Sequence, residues 1–186
     1  MVPLTALWLP ILLSAVIVFI ASSIIHMVIP IHKTDYRKLP DEDRVMDALR
    51  SEGVTPGRAY HFPFCTHKEM KSPEMQEKFK RGPVGLLTVF PSGAPAMGKY
   101  LVNWFLYCVL VSIFVAYLTG RTRAPGTNYL EVFRIAGTAG FMGYGLALIQ
   151  DAIWKGEDWV VNLKHVFDGL IYGLLTAGTF GWLWPR

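Results

Sequence analysis

The sequence predicts an all-α membrane protein, a bundle of four transmembrane helices with a small α+β polar segment between the first and second. Three observations point there. Of 186 residues, 52% are hydrophobic and only 17% charged, below the roughly one quarter of charged residues usual in soluble domains. The charge is segregated: eleven of the eighteen Lys and Arg residues, and nine of the fourteen acids, fall between Ile31 and Gly98. Outside that segment lie four apolar runs, each near the ~20 residues an α-helix needs to cross hydrocarbon.

The first run has neither charge nor histidine from Val2 to Ile25, and its apolar character continues past His26 to Ile31. A cleavable leader would carry a basic n-region, which MVPLTALW lacks, so the expectation is a permanent helix over residues 1–30. The second run, Tyr100–Gly120, is free of charge and ends in the breaker TGRTRAPG, giving a helix over 99–120. The third, 135–154, carries Asp151 near its end. The fourth, 165–186, is expected to hold His165 and Asp168 in its first turn. Loops then cover 121–134 and 155–164. Unbroken apolar runs lack the period-two alternation of barrel strands, and a backbone in hydrocarbon must satisfy itself, so the spans are helices. Trp8, Trp104, Trp154, Trp159, Trp182 and Trp184 fall near expected helix ends, where amphipathic rings prefer the headgroup region.

Helices three and four carry small residues at helical spacing. Ala139, Gly143 and Ala147 are four apart, and Gly169 and Gly173 form a GxxxG step, a pattern that lets backbones approach closely. The competing reading is that glycine is simply common in membrane helices. The short 155–164 connection makes these two helices antiparallel neighbours.

Residues 31–98 are too few for a comfortable independent core. Pro40, the acids Asp41, Glu42 and Asp43, and Gly53 outline one helix; Ser72, Pro73, Glu74 and Gly82 outline another. Ala59–Phe64 and Val84–Phe90 are short β-prone runs that suit a strand pair. Counting Lys and Arg near helix ends gives seven on the side of this segment (Lys33, Arg37, Lys38, Arg44, Lys99, Lys155, Lys164) against four on the other (Arg121, Arg123, Arg134, Arg186). That balance predicts residues 31–98 cytoplasmic and both termini outside.

Four crossings bring the ends of helices one and three and the starts of helices two and four to one membrane face. His26, Asn103, Gln150, Asp151, His165 and Asp168 then converge in depth. Ionisable residues in membrane helices are costly and mark functional sites by default. His26, Asp151, His165 and Asp168 suit Zn, Fe or Mn; His26 and His165 alone suit a cofactor, as axial ligands of a haem or contacts to a quinone head group. The blander reading has Asp151 and His165 snorkelling to the interface and Asp168 capping a helix start; a proton or substrate pathway is a further alternative.

A second ligand set, His61, Cys65 and His67 with Met70, is soft enough for copper or zinc but matches no zinc-finger spacing. The alternative there is a loop packing its aromatics. Cys65 and Cys108 read as free thiols. No Walker, dinucleotide, GxSxG or HExxH motif is present, and the small net charge of +4 with interspersed acids excludes a nucleic-acid footprint.

The segments HMVIPIHKTDYRKLPDE, KEMKSPE, KRGPVGLLTV and FDGLIYGLLTAGTFGWLWP together resemble a group of bacterial four-helix inner-membrane proteins with no assigned activity. The resemblance implies a bacterial inner-membrane setting and no residue role. The functional expectation is a non-catalytic accessory or assembly subunit of a larger membrane complex, in contact with lipid and with other subunits or copies of itself. The alternatives are a metal- or haem-binding redox or hydrolytic protein and, third, a small transporter or channel.

Overall fold

A computed structural model describes residues 1–186. The chain is mostly helical, in the order α1 (Trp8–Met27), α2 (Glu42–Ser51), β1 (Ala59–Phe62), α3 (Pro73–Arg81), β2 (Gly85–Thr88), α4 (Met97–Thr122), α5 (Tyr129–Tyr144), α6 (Ile149–Lys155) and α7 (Trp159–Trp182). Two compact units share it. One comprises Met1–Asp35, Ala96–Ala152 and Glu157–Arg186; the other comprises Tyr36–Pro95 with Ile153–Gly156.

In the first unit α1 lies against α4, α4 against α5, α5 against α7, and α7 against α1, so four helices close into a ring. Three segments are long and apolar enough to cross a membrane: Leu4–Met27, Met97–Thr122 and Tyr129–Lys155. Small and polar groups are packed inside among a few bulkier ones, Leu7, Val18, Val115, Val132 and Phe180, and many large apolar groups face outward, as a lipid solvent allows. Ser14, Ser112, Thr119 and Thr176 are fully buried with Ala15, Ala116, Ala136 and Ala177, whereas Leu12, Ile20, Leu106, Leu110, Phe114 and Leu174 face outward. Interior hydroxyls are satisfied locally or across helices: Ser14 and Ser112 share a 3.0 Å hydrogen bond between α1 and α4, and Tyr144 on α5 donates to the Cys108 carbonyl on α4 at 3.2 Å.

The closest approach is that of α5 and α7. A Cβ built on Gly169 would stand 2.4 Å from the Gly145 Cα, and one on Gly173 would stand 2.8 Å from the Phe141 amide nitrogen. Gly140 lies opposite Gly173 and Gly137 opposite Ala177. The residues that meet α7 in this crossing are therefore Gly137 and Gly140 of α5 and Gly145 just past its end. Gly143 instead meets Val111 of α4, Ala139 packs at the margin of the core, and Ala147 falls in a 3-10 turn (Leu146–Leu148) that interrupts the expected third helix.

Helix boundaries also move, because capping side chains define them. The third helix begins at Tyr129, six residues earlier than expected, with Asn128 accepting from the Glu131 amide at 3.1 Å. The last helix begins at Trp159, capped by Asp158, which accepts from the Val160 amide at 2.8 Å and the Val161 amide at 3.2 Å. Asp168 is thus the tenth residue of α7 and does not cap it.

The second unit contains the expected strand pair and two helices. β1 and β2 are antiparallel, with Ala59 opposite Thr88 and Phe62 opposite Gly85. Gly85 is needed there: the Phe62 ring lies across it, 3.0 Å from where a Cβ would stand. α2 is capped by Asp41 rather than opened by Pro40, and α3 is capped by Ser72 and stopped by Gly82 at φ +60°.

A candidate metal centre where helices one and seven meet

α1 ends at Met27, and Pro30, which has no amide proton to offer, opens a 3-10 turn (Pro30–His32). The chain folds back, with the Lys33 amide donating to the Pro30 carbonyl at 3.2 Å and the Asp35 amide to the His32 carbonyl at 3.2 Å. This turn carries His32 and Asp35 to α7. Lys164 of α7 fastens it through the Ile31 carbonyl at 2.8 Å, the Thr34 hydroxyl at 3.2 Å and the Asp35 carboxylate at 2.7 Å.

Four donor atoms meet as a result. Ligand atoms of His26, His32, His165 and Asp168 all lie within 4.8 Å of one another. The Asp168 Oδ2 is 2.9 Å from His32 Nε2 and 3.9 Å from both His26 Nε2 and His165 Nδ1. Ligands 2.0–2.1 Å from a tetrahedral ion stand about 3.3 Å apart, so closing this set around one ion needs the longer edges, 3.9 Å and more, to shorten by about half an ångström or more and the imidazole rings to rotate about their side-chain bonds. The three imidazole planes are nearly parallel, tilted 2° to 14° from one another.

Two of the three outer nitrogens are already committed. His32 Nδ1 donates to Asp35 Oδ2 at 2.6 Å, and His26 Nδ1 donates to the Ser22 carbonyl at 3.1 Å. Each commitment turns the Nε2 lone pair inward, the arrangement by which carboxylates and carbonyls orient metal-bound histidines. Behind Ser22 stands Trp104 of α4, whose indole N–H donates to the Ser22 hydroxyl at 2.8 Å. Asp35 is 2% exposed; burial pushes its carboxyl up, but hydrogen bonds from Lys164 and His32, with their charges, more than offset this and hold it below the usual carboxylate range. It is therefore an ionised acceptor at neutral pH.

Two atoms in the centre of this group have no hydrogen-bond partner: His32 Nε2 and Asp168 Oδ2. They are 2.9 Å apart, on side chains only 8% and 5% exposed, the distance of an ion pair when His32 carries a proton on both nitrogens. With the only His32 proton on Nδ1, two lone pairs face each other at that distance, and either a second proton or a metal ion relieves them. Buried unpaired acceptors are costly, and a cation between them removes the cost.

Of the residues expected to converge, the structure brings together His26, His165 and Asp168. Asp151, on α6, is outside the group of four, and Asn103 and Gln150 are exposed. His61, Cys65 and His67 belong to the second unit and are also outside it; His61 pairs opposite Leu86 on β1. A haem ligated by His26 and His165 would have to pass its macrocycle through the space held by His32 and Asp168, whose donors lie within the same 4.8 Å. His32, Asp35 and Lys164 were not singled out in the sequence. The signal for them is the string His26 to His32 across Pro30, readable only once the turn is known to reverse.

Comparison with protein-family models, curated proteins and solved structures finds no match for this chain, so the functional reading rests on the site.

Proposed function

We propose that this chain is a membrane-embedded metalloprotein that holds one divalent transition ion among His26, His32, His165 and Asp168. The observation that carries the reading is the convergence of four donors around a buried pair without a hydrogen bond, His32 Nε2 against Asp168 Oδ2, with the other His32 nitrogen already spent on Asp35. Three imidazoles and one carboxylate suit zinc, iron or manganese. His26, 44% exposed, leaves one side of the centre accessible to a ligand. The class of chemistry is metal-dependent, Lewis-acid hydrolysis with zinc or electron transfer with iron.

In this reading α7 is the fourth crossing. Its 24 residues span about 36 Å at ~1.5 Å each, more than the ~30 Å of hydrocarbon, and Asp168, its one acidic residue, is turned into the bundle. The setting is a bacterial inner membrane with residues 31–98 cytoplasmic, following the Lys and Arg balance. Glycine faces that would suit docking to other subunits are occupied within the chain, where Gly169 and Gly173 meet α5. An accessory-subunit role accordingly ranks second.

The test is metal analysis of the full chain, purified in detergent without chelators and loaded in turn with zinc, iron(II) and manganese(II). One equivalent of one of these ions is expected in the wild type, and less than about a tenth of that affinity in His32→Ala, on the scale by which even outer-shell changes weaken metal sites. A wild-type protein that retains none of the three overturns the proposal.

A further inference from the structure

Four buried side-chain atoms on α7 and the turn that meets it lack a hydrogen-bond partner: His32 Nε2, Asp168 Oδ2, the Tyr172 hydroxyl and Asn162 Oδ1, the last on a side chain whose amide nitrogen is already bonded twice. A bound ion accounts for the first two. The phenol remains, 4% exposed and with nothing to donate to, in a region where water does not freely replace a lost partner.

Its position relates it to the metal ligands. His165, Asp168 and Tyr172 are spaced i, i+3 and i+7 on α7 and share one helical face. The Tyr172 Cα stands about 6 Å beyond that of Asp168, four residues at ~1.5 Å each, and helical side chains lean back toward the N-terminus. That lean carries the phenol toward the level of the carboxylate. From the other side the ring is held edge-on by Trp104 at 6.1 Å and Tyr144 at 5.8 Å between centroids. Trp104 is the residue that secures Ser22 behind His26, so Tyr172 packs against the support of the site itself. The Tyr144 hydroxyl, in contrast, is already used on the Cys108 carbonyl.

Charge indicates what the phenol faces. Neutral imidazoles add nothing, Asp35 and Lys164 cancel as a bonded pair at 2.7 Å, and a divalent ion with Asp168 leaves one net positive charge in a poorly hydrated interior. A site of that kind draws an anion.

Resting on the metal reading above, we propose that the ion takes, as a fifth ligand beside its four protein donors, a small anion, such as hydroxide or the carboxylate of a substrate, and that the Tyr172 hydroxyl donates a hydrogen bond to it. Tyr172 is in this sense the residue that selects and orients the anionic ligand. A charge-assisted bond is stronger than a neutral one, and it is formed only when the anion is present.

The experiment loads the full chain in detergent with cobalt(II), whose visible bands report coordination, and titrates it with azide. In the wild type, azide is expected to shift the bands at saturation. Tyr172→Phe should bind the same cobalt equivalent, melt no lower than wild type because the hydroxyl has no partner to lose, and bind azide about tenfold more weakly. Tyr144→Phe should keep wild-type azide affinity. Equal azide affinity in wild type and Tyr172→Phe overturns this inference and leaves the metal reading standing; a wild type that takes up no cobalt overturns both.

Discussion

Asp35 touches none of the other donor atoms as closely as it touches His32, yet its oxygen 2.6 Å from Nδ1 decides which His32 nitrogen faces the centre. Asp35→Asn keeps the shape but offers an amide that can present its N–H to the ring. Metal affinity is expected to fall by roughly 10–100-fold, the usual cost of losing an outer-shell partner, as measured by competition with a coloured chelator. His26 and His165 were legible as a pair in the sequence because each interrupts an apolar run. His32 was not, because it sits among Lys33, Thr34 and Asp35, where a histidine looks like any solvated residue; only the reversal at Pro30 gives it a burial that the local composition does not announce.

At the scale of elements, the contact of α5 with α7 is a crossing of backbones. Gly169→Val would put branched carbons where the Gly145 Cα already stands, and overpacking of this kind costs about 1–3 kcal/mol or more. A clear drop in the thermal midpoint of the detergent-solubilised protein is expected. Gly178→Ala, whose nearest neighbour is the Tyr129 hydroxyl at 3.7 Å, should melt as wild type does. The GxxxG step was readable on α7, but its counterpart on α5 was not: Ala139, Gly143 and Ala147 have the right spacing, and Gly137, Gly140 and Gly145 are the residues that meet it. Sequence spacing identifies a smooth face without saying which neighbour lies on it.

A smaller element allows a pH test. In the second unit Glu69 accepts from the Thr66 amide and hydroxyl, both at 2.8 Å. The amide bond first, then the hydroxyl bond, hold its carboxyl below its ordinary 4.5, against a small opposing effect of burial. A carboxyl lowered on folding adds stability above its unfolded value and loses it as pH falls through the folded one. The Thr66 amide should therefore be protected from hydrogen exchange at neutral pH and lose that protection, relative to Glu69→Gln, only below about pH 4.5. Equal protection in both chains at neutral pH would remove the role given to Glu69.

For the molecule as a whole, an interior where Ser, Thr, Ala and Gly pack among Leu7, Phe180 and several valines, with most large apolar groups outside, was legible only as apolar composition. Which side of each helix faces in depends on partners far away in the chain. α7 illustrates the limit: His165, Asp168 and its glycines lower its hydropathy, though Asp168, Gly169 and Gly173 are the very residues that the bundle takes inward. If it is the fourth crossing, single cysteines placed near residue 1 and near residue 186 should react with an impermeant thiol reagent from the same face of sealed vesicles. Labelling from opposite faces would leave three crossings.

The glycine crossing has one more consequence. With α5 and α7 in backbone contact, His165 and Asp168 ride on a rigid rail, whereas His26 and His32 belong to a helix end and its trailing turn, moored there by the three bonds of Lys164. An ion held between them would act as a clasp joining a fixed jaw to a hinged one, and its departure would free only the hinged side.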